Sequence, residues 1–293
     1  MSRIEVLKTY KIYIGGKFPR TESGRYYTVK SKNGLTLANV CLSSRKDVRN
    51  AVLEARKAQG SWGERAAFNR GQILYRIAEV LEGRKSQFID ELLNHGFTNK
   101  LAQNEVNSSI DRLVYYAGWC DKYNQIIGSI NPVSSAHFNF SSCEPMGVVG
   151  IISDPSSPLL GLISNLAPAI AGGNSVVILA SEDYPLSAIT FAEVLQVSDV
   201  PGGVVNILTG SLKETASTLA AHMDVNAIVT SNHSATLNAD LQLASVENLK
   251  RFFIYNNDWS NELSEGLHYL GDLQEIKTTW HPIEQIGGAS SSY

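Results

Sequence analysis

Residues 144–158 read EPMGVVGIISDPSSP, and this stretch decides the fold. Its centre, residues 147–153, is a short run rich in Val and Ile. A proline-containing turn closes it at Asp154-Pro155-Ser156-Ser157-Pro158, and an apolar helical stretch follows over residues 159–171. The same unit then recurs. A second apolar run covers residues 175–179, before a helix at 185–195 opened by proline in its first turn. A third run at 204–208 precedes a helix at 213–222. A fourth at 226–230 precedes a helix at 235–244, and residues 251–255 offer a fifth. Short runs buried on both faces, alternating with helices, are the signature of a parallel sheet wound with right-handed crossovers. The expectation is an α/β chain whose residues 145–255 form a doubly wound, mostly parallel, Rossmann-like sheet.

Upstream, the pattern is helical. Residues 46–59 are amphipathic, and residues 64–83 place Ile73, Leu74, Ile77, Ala78 and Leu81 at helical spacing. Residues 88–93 and 101–123 continue it. Two extended arms flank these helices. Residues 10–19, with Gly15-Gly16 at the centre, read as a hairpin. Residues 126–143 alternate weakly around an Asn131-Pro132 turn signal. Residues 1–144 therefore read as an N-terminal helical segment with two hairpin arms. Residues 256–293 hold Trp259, Tyr269 and Trp280 but few strand-like runs, and pattern alone assigns them no fold.

The bulk numbers exclude several function classes. The chain has 293 residues, 43% of them hydrophobic and 18% charged, with a net charge of −3. That length supports one or two domains. No basic excess points to nucleic acid, and no polybasic run points to an anionic membrane. The apolar runs are too short to span a bilayer, and the N-terminus lacks a signal-peptide core. Cys41, Cys120 and Cys143 form no CxxC pair and no metal-ligand spacing, so neither zinc nor a disulfide framework is expected. That cysteine usage suits a reducing, cytoplasmic compartment.

In order and spacing, several segments resemble the aldehyde dehydrogenase superfamily. YIGGKF is similar to the family's opening hairpin. WGERAAFNRGQILYRIAEVLEGRKSQF resembles the helix that follows, and YYAGWCDK the helix before its oligomerisation hairpin. EPMGVVGII is similar to the first strand of the nucleotide-binding domain. LLGLISNLAPAIAGGNSVVI, VPGGVVNILTG and AAHMDVNAIVTS resemble the next elements. The resemblance covers about residues 10–251. It implies the fold read above, with residues 126–143 as the oligomerisation hairpin and residues 256–293 as a divergent remnant of a catalytic domain.

The family reaction needs a cysteine thiolate, an oxyanion site that includes an Asn amide, NAD(P) as hydride acceptor, and a water-activating Glu. The resemblance places Ser156 at the Asn position, and losing one such donor typically costs about 2.7–4 kcal/mol of barrier. Leu179-Ala180-Ser181-Glu182 stands where the family has Lys-Pro-Ser-Glu, so the ribose-binding Glu survives and the Lys does not. Ser231 falls at a glycine that lets backbone approach the cofactor phosphates. Tyr255 replaces the general-base Glu. The nucleophile's counterpart falls in the terminal GGASSSY, which has no cysteine, and most of the family's catalytic domain lies beyond it.

The remaining cofactor candidates are Glu182, Ser181 and Gly210. Plainer readings exist for each: residues 181–183 suit the positive end of the helix near Pro185, and Thr209-Gly210 is also a simple strand-to-helix turn. No residue is assigned a catalytic role and none a metal. Cofactor retention is not expected, although NAD or NADP is what the resemblance implies. The reading is a non-catalytic homologue that associates with a full-length aldehyde dehydrogenase subunit, or with a second copy, through residues 126–143. The alternatives are an NAD(P)-dependent oxidoreductase acting on aldehydes with a partner chain, and a nucleotide-binding regulatory module.

Overall fold

The computed structural model describes residues 6–283. A short strand β1 (Thr9–Tyr10) leads through the Gly15-Gly16 turn into the hairpin β2 (Tyr26–Lys30) and β3 (Thr36–Cys41). Four helices follow: α1 (Arg45–Gly63), α2 (Ala67–Gly83), α3 (Lys85–Asn94) and α4 (Asn99–Trp119). The short α5 (Tyr123–Ile127) then enters β4 (Ser129–Asn131) and β5 (His137–Pro145).

The wound domain follows as β6 (Val148–Ile152), α6 (Leu160–Ala171), β7 (Ser175–Leu179), α7 (Leu186–Gln196), β8 (Val205–Leu208), α8 (Leu212–Ala221), β9 (Ala227–Ser231), α9 (Ala235–Ser245) and β10 (Arg251–Tyr255). Its five strands are all parallel, in the order β10-β9-β6-β7-β8. The jump from β6 outward in both directions makes the sheet doubly wound, as the sequence led us to expect. Every residue of β6, β7, β8 and β9 is buried, which is why these strands read as continuous apolar runs. All twelve residues of α6 are buried as well. Burying each Leu, Ile or Val of this layer contributes about 1.5–3 kcal/mol. Trp62 of α1 is fully buried against the end of α6, where its indole Nε1 donates to Ile170 O at 3.0 Å.

Two expectations need correction. Gly15 and Gly16, at φ 60° and 76°, close a two-residue turn with Ile14 and Lys17 hydrogen-bonded both ways. This hairpin is limited to one antiparallel bridge, and its flanks part beyond it. Thr9–Tyr10 runs parallel to β3, and Tyr13 exchanges two 2.8 Å hydrogen bonds with Ile207. The arm is drawn to the open edge of β8, whose backbone groups it satisfies. The helix expected over 101–123 ends at Trp119, and α5 takes the first two residues of the stretch read as extended.

The segment after β10 gains a fold. It carries a 3₁₀ turn at Glu262–Ser264, then α10 (Leu267–Gly271) and β11 (Gln274–Pro282). Strand β11 pairs antiparallel with β5 along its whole length, so the hairpin becomes a three-stranded sheet, β11-β5-β4. Helix α10 lies against α6 and contributes Leu270 to the core beneath the sheet.

His95, just after α3, is 4% exposed, and burial pulls its pKa down from 6.5 to about 4. The folded state therefore binds fewer protons than the unfolded chain between these two values. Stability should be full above pH 6.5 and fall as pH drops toward about 4, by up to about 1.4 kcal/mol per pH unit. Urea titrations across that range should show the slope, and His95→Phe should remove its contribution.

Candidate functional site

Ligands of open α/β sheets bind beyond the carboxyl ends of the strands, and this sheet has two hollows there. The first, about 500 Å³, lies over the ends of β6, β9 and β10 and is lined by Phe97, Glu105, Ser156, Asn232, Asp258 and Trp259, among others. The second, about 220 Å³, lies over the ends of β7 and β8 and is lined by Tyr27, Leu42, Glu182, Gly210 and Ser211.

Asp154 organises the first hollow. It follows β6 and is fully buried. Its Oδ1 accepts the Ser156 N–H at 2.7 Å, the Ser156 hydroxyl at 2.7 Å and the Ser157 N–H at 3.2 Å. Its Oδ2 accepts the Trp259 indole N–H at 3.0 Å and the Asn232 side-chain amide. Ser156 thus turns its hydroxyl back to its own turn, as an Asp-Pro-Ser-Ser sequence favours. Asn232 sits at φ 53° and also donates to Asn257 O at 2.8 Å. Glu105 reaches over from α4 to the start of α6. It accepts the Leu159 N–H at 3.1 Å, the Leu160 N–H at 2.9 Å and the Ser157 hydroxyl at 2.9 Å. Burial raises its pKa above the usual carboxylate range, and the two amides and the Ser157 hydroxyl pull the other way.

The segment after β10 closes this hollow. Arg112 of α4 is 3% exposed and holds that segment in place. One guanidinium nitrogen donates to Ser264 O at 2.7 Å and to the Ser164 hydroxyl at 2.8 Å, and the other donates to Trp259 O at 3.2 Å. Its Nε lies 3.1 Å from Glu265 as an ion contact, off line for a hydrogen bond. Trp259 is 2% exposed and meets Tyr255 and Tyr269 through tilted and edge-on ring contacts. Tyr255 donates its hydroxyl to Asp272 at 2.8 Å. Burial and the Asp272 carboxylate push its pKa far up, so it is a neutral donor and not a base.

Of the positions singled out in the sequence, Ser156 lines the first hollow, and Glu182 and Gly210 line the second. Ser231 and Tyr255 are register partners at the ends of β9 and β10. Ser231 is fully buried, and its hydroxyl accepts the Asn165 amide at 2.9 Å. Glu182 and Gly210 come together in the second hollow. Ser181 is buried next to it and accepts the Tyr184 N–H at 3.3 Å. Leu179 is 3% exposed and belongs to the core. Glu182 caps a helix, but that helix is α8, through the Leu212 N–H, and not the one beginning near Pro185. Gly210, at φ 130°, lets the turn after β8 press its backbone against Ser43. The terminal GGASSSY lies outside the described residues. Asp154, Glu105, Arg112 and Trp259 carried no signal that sequence reasoning used. For Asp154 one existed, in the Asp-Pro-Ser-Ser turn chemistry.

The dinucleotide that the fold implies would meet small and already occupied features at these strand ends. The hollow with Glu182 and Gly210 falls below the usual ligand-pocket size of about 300–1,000 Å³. Side-chain oxygens already occupy the helix starts that would receive phosphate: Glu105 at α6, Glu182 at α8 and Ser234 at α9. The fully buried Ser231 side chain stands where close backbone approach would need glycine. Asp154 spends its lone pairs on five donors, and Glu105 turns Oε1 to the start of α6. No cysteine lines either hollow. Cys41, Cys120 and Cys143 are buried elsewhere, and burial pushes the Cys120 thiol up to about 12 and raises that of Cys143. Among the described residues no group of three His, Cys, Asp or Glu side chains could hold a metal, and no helix is long and apolar enough to cross a membrane.

Comparisons with known proteins agree with the fold. Residues 18–254 match the aldehyde dehydrogenase family. The chain is 33% identical over 244 residues to an aldehyde dehydrogenase of Aspergillus niger, covering 82% of this chain and 48% of that protein. It is 35% identical over 237 residues to the cytosolic 10-formyltetrahydrofolate dehydrogenase of Mus musculus, covering 78% of this chain and 26% of that protein. Its fold superposes on PnpE from Pseudomonas sp. WBC-3 with a TM-score of 0.81 at 30% identity, covering 84% of this chain and 50% of PnpE. An NAD+ complex of aldehyde dehydrogenase from Bacillus cereus gives 0.80 at 27% identity, with the same coverage. The chain thus spans about half the length of the Aspergillus relative and about a quarter of the mouse one.

Arg112→Ala should orphan buried acceptors in the segment that closes the first hollow, destabilising the protein by about 3 kcal/mol. Limited proteolysis should then cut first between residues 256 and 273. Urea unfolding and mass spectrometry of the fragments would check both outcomes.

Proposed function

Since the chain belongs to the aldehyde dehydrogenase family, we propose that it is a non-catalytic member that stabilises or positions a full-length aldehyde dehydrogenase subunit. One observation carries the reading. The hollow where the family's carbonyl chemistry would sit presents no thiolate, and Trp259 lines it, hydrogen-bonded to Asp154. The oxyanion position holds Ser156, whose hydroxyl already serves Asp154. A nucleophile needs a thiolate held near a cation or a helix start, and the three thiols are buried away from both hollows.

Association is supported by the sheet β11-β5-β4. Ile130 and Phe140 are register partners on one face, and Ile130 is 72% and Phe138 44% exposed. Unsatisfied strand edges and exposed apolar side chains on one sheet are what a partner chain would cover. The partner would be a full-length family member, or a second copy of this chain, through residues 126–143.

The oxidoreductase reading keeps one point of support, the pairing of Glu182 and Gly210 at the ends of β7 and β8. Calorimetric titration with NAD and with NADP discriminates. We expect no binding heat and no turnover of any aldehyde by the purified chain. Covalent capture of radiolabelled aldehyde on it would overturn the proposal. Co-expression with a full-length aldehyde dehydrogenase should yield one co-eluting complex that Phe138→Lys weakens. A chain that elutes alone in that experiment counts against the partner role.

A further inference from the structure

The two edges of the parallel sheet are treated differently. The outer edge of β8 is closed by Tyr13, through its two hydrogen bonds with Ile207. The outer edge of β10 has no strand or bridge on it among the described residues. Arg251 N donates to Asn226 O and Tyr255 O accepts from Asn232 N, both at 3.2 Å, so residues 251 and 255 turn their backbone groups toward β9. By alternation, Phe252 and Ile254 turn theirs outward, where no backbone hydrogen bond meets them among the described residues. The strand has no proline and no bulge, and its charged side chains lie only at its start, Lys250 and Arg251. The chain leading into the strand is apolar and open, with Leu243, Val246 and Leu249 at 74%, 66% and 92% exposed. The family match ends at residue 254, within this strand.

We propose that β10 is a dimerisation edge, pairing antiparallel with β10 of a second copy across a two-fold axis at Phe253. Charge selects that occupant. The strand is basic where it begins, at Lys250 and Arg251, and acidic where it ends, with Asp258 following and Asp272 on the Tyr255 hydroxyl. An antiparallel copy brings each basic start beside the other's acidic end, whereas a parallel one would stack like on like. Arg251 lies opposite Tyr255 of the second copy while keeping its own Glu275. The outward groups of Phe252 then pair with those of Ile254 in the second copy, and Phe253 meets its own counterpart at the axis. The interface is self-complementary, as a two-fold contact must be. It turns two five-stranded sheets into one of ten strands, and it is separate from the β11-β5-β4 sheet.

The test reads register as well as mass. Phe252→Cys and Ile254→Cys chains are prepared separately, oxidised alone and then oxidised as a mixture. The native cysteines are buried and stay silent. A crosslinked dimer in the mixture and in neither variant alone is the expected result, and folded variants that stay unlinked when mixed overturn the proposal. If either cysteine variant fails to fold, sedimentation decides. The unaltered chain should sediment as a dimer at micromolar concentration, and Ile254→Lys should halve that mass with an unchanged far-ultraviolet spectrum. A monomeric parent chain overturns the proposal, and so does a dimer indifferent to Ile254→Lys. A dimer lost only on Phe138→Lys assigns self-association to the hairpin sheet and overturns it too.

Discussion

A single buried carboxylate, Asp154, ties together the part of the molecule where function would reside. Removing a carboxylate from water costs several kcal/mol unless donors surround it. Here five N–H and O–H groups do so, drawn from its own turn, from the end of β9 and from the segment after β10. Each donor fixes something. Ser156 and Ser157 shape the turn into α6, Asn232 is held in a left-handed conformation, and Trp259 is seated in the hollow. The same lone pairs cannot also activate water or orient a substrate. The bonds that make this region rigid are the bonds that occupy its buried carboxylate.

The buried positive charge of Arg112 does the complementary work. It points the other way, from α4 into the segment after β10, and saturates carbonyls there that would otherwise be buried without partners. Together the two charges dock residues 256–273 onto the sheet. Helix α10 can then take a place beside α6, and Tyr255, Trp259 and Tyr269 form an aromatic cluster over the strand ends. A nucleotide-binding half would otherwise leave apolar surface at that point, and this segment covers it.

How much of this was legible follows from how each element is stabilised. The parallel sheet was plain because its strands are buried on both faces and must be apolar throughout. The β2–β3 hairpin was missed. Its strands are half-exposed and polar, and the Asn33-Gly34 turn was its one clear sign. Ser156, Ser231 and Tyr255 could be placed because local order along the chain identified their positions. The contacts of Glu105 with α6 and of Arg112 with Trp259 span 55 and 147 residues, and no local pattern encodes such a pairing. Residues 256–282 resisted assignment for the same reason, since their structure exists only against β5, α4 and α6.

The third sheet sets a condition on biosynthesis. Lys277 of β11 is joined to Glu144 of β5 by an ion pair across 133 residues. Strands β4 and β5 leave the ribosome long before the strand that completes them. Until it emerges, the nascent chain carries an unfinished ribbon with Ile130 and Phe138 uncovered. The wound domain has every residue it needs in that interval, so it can form first, leaving the ribbon as the last part to close and the part most open to capture by another polypeptide during synthesis.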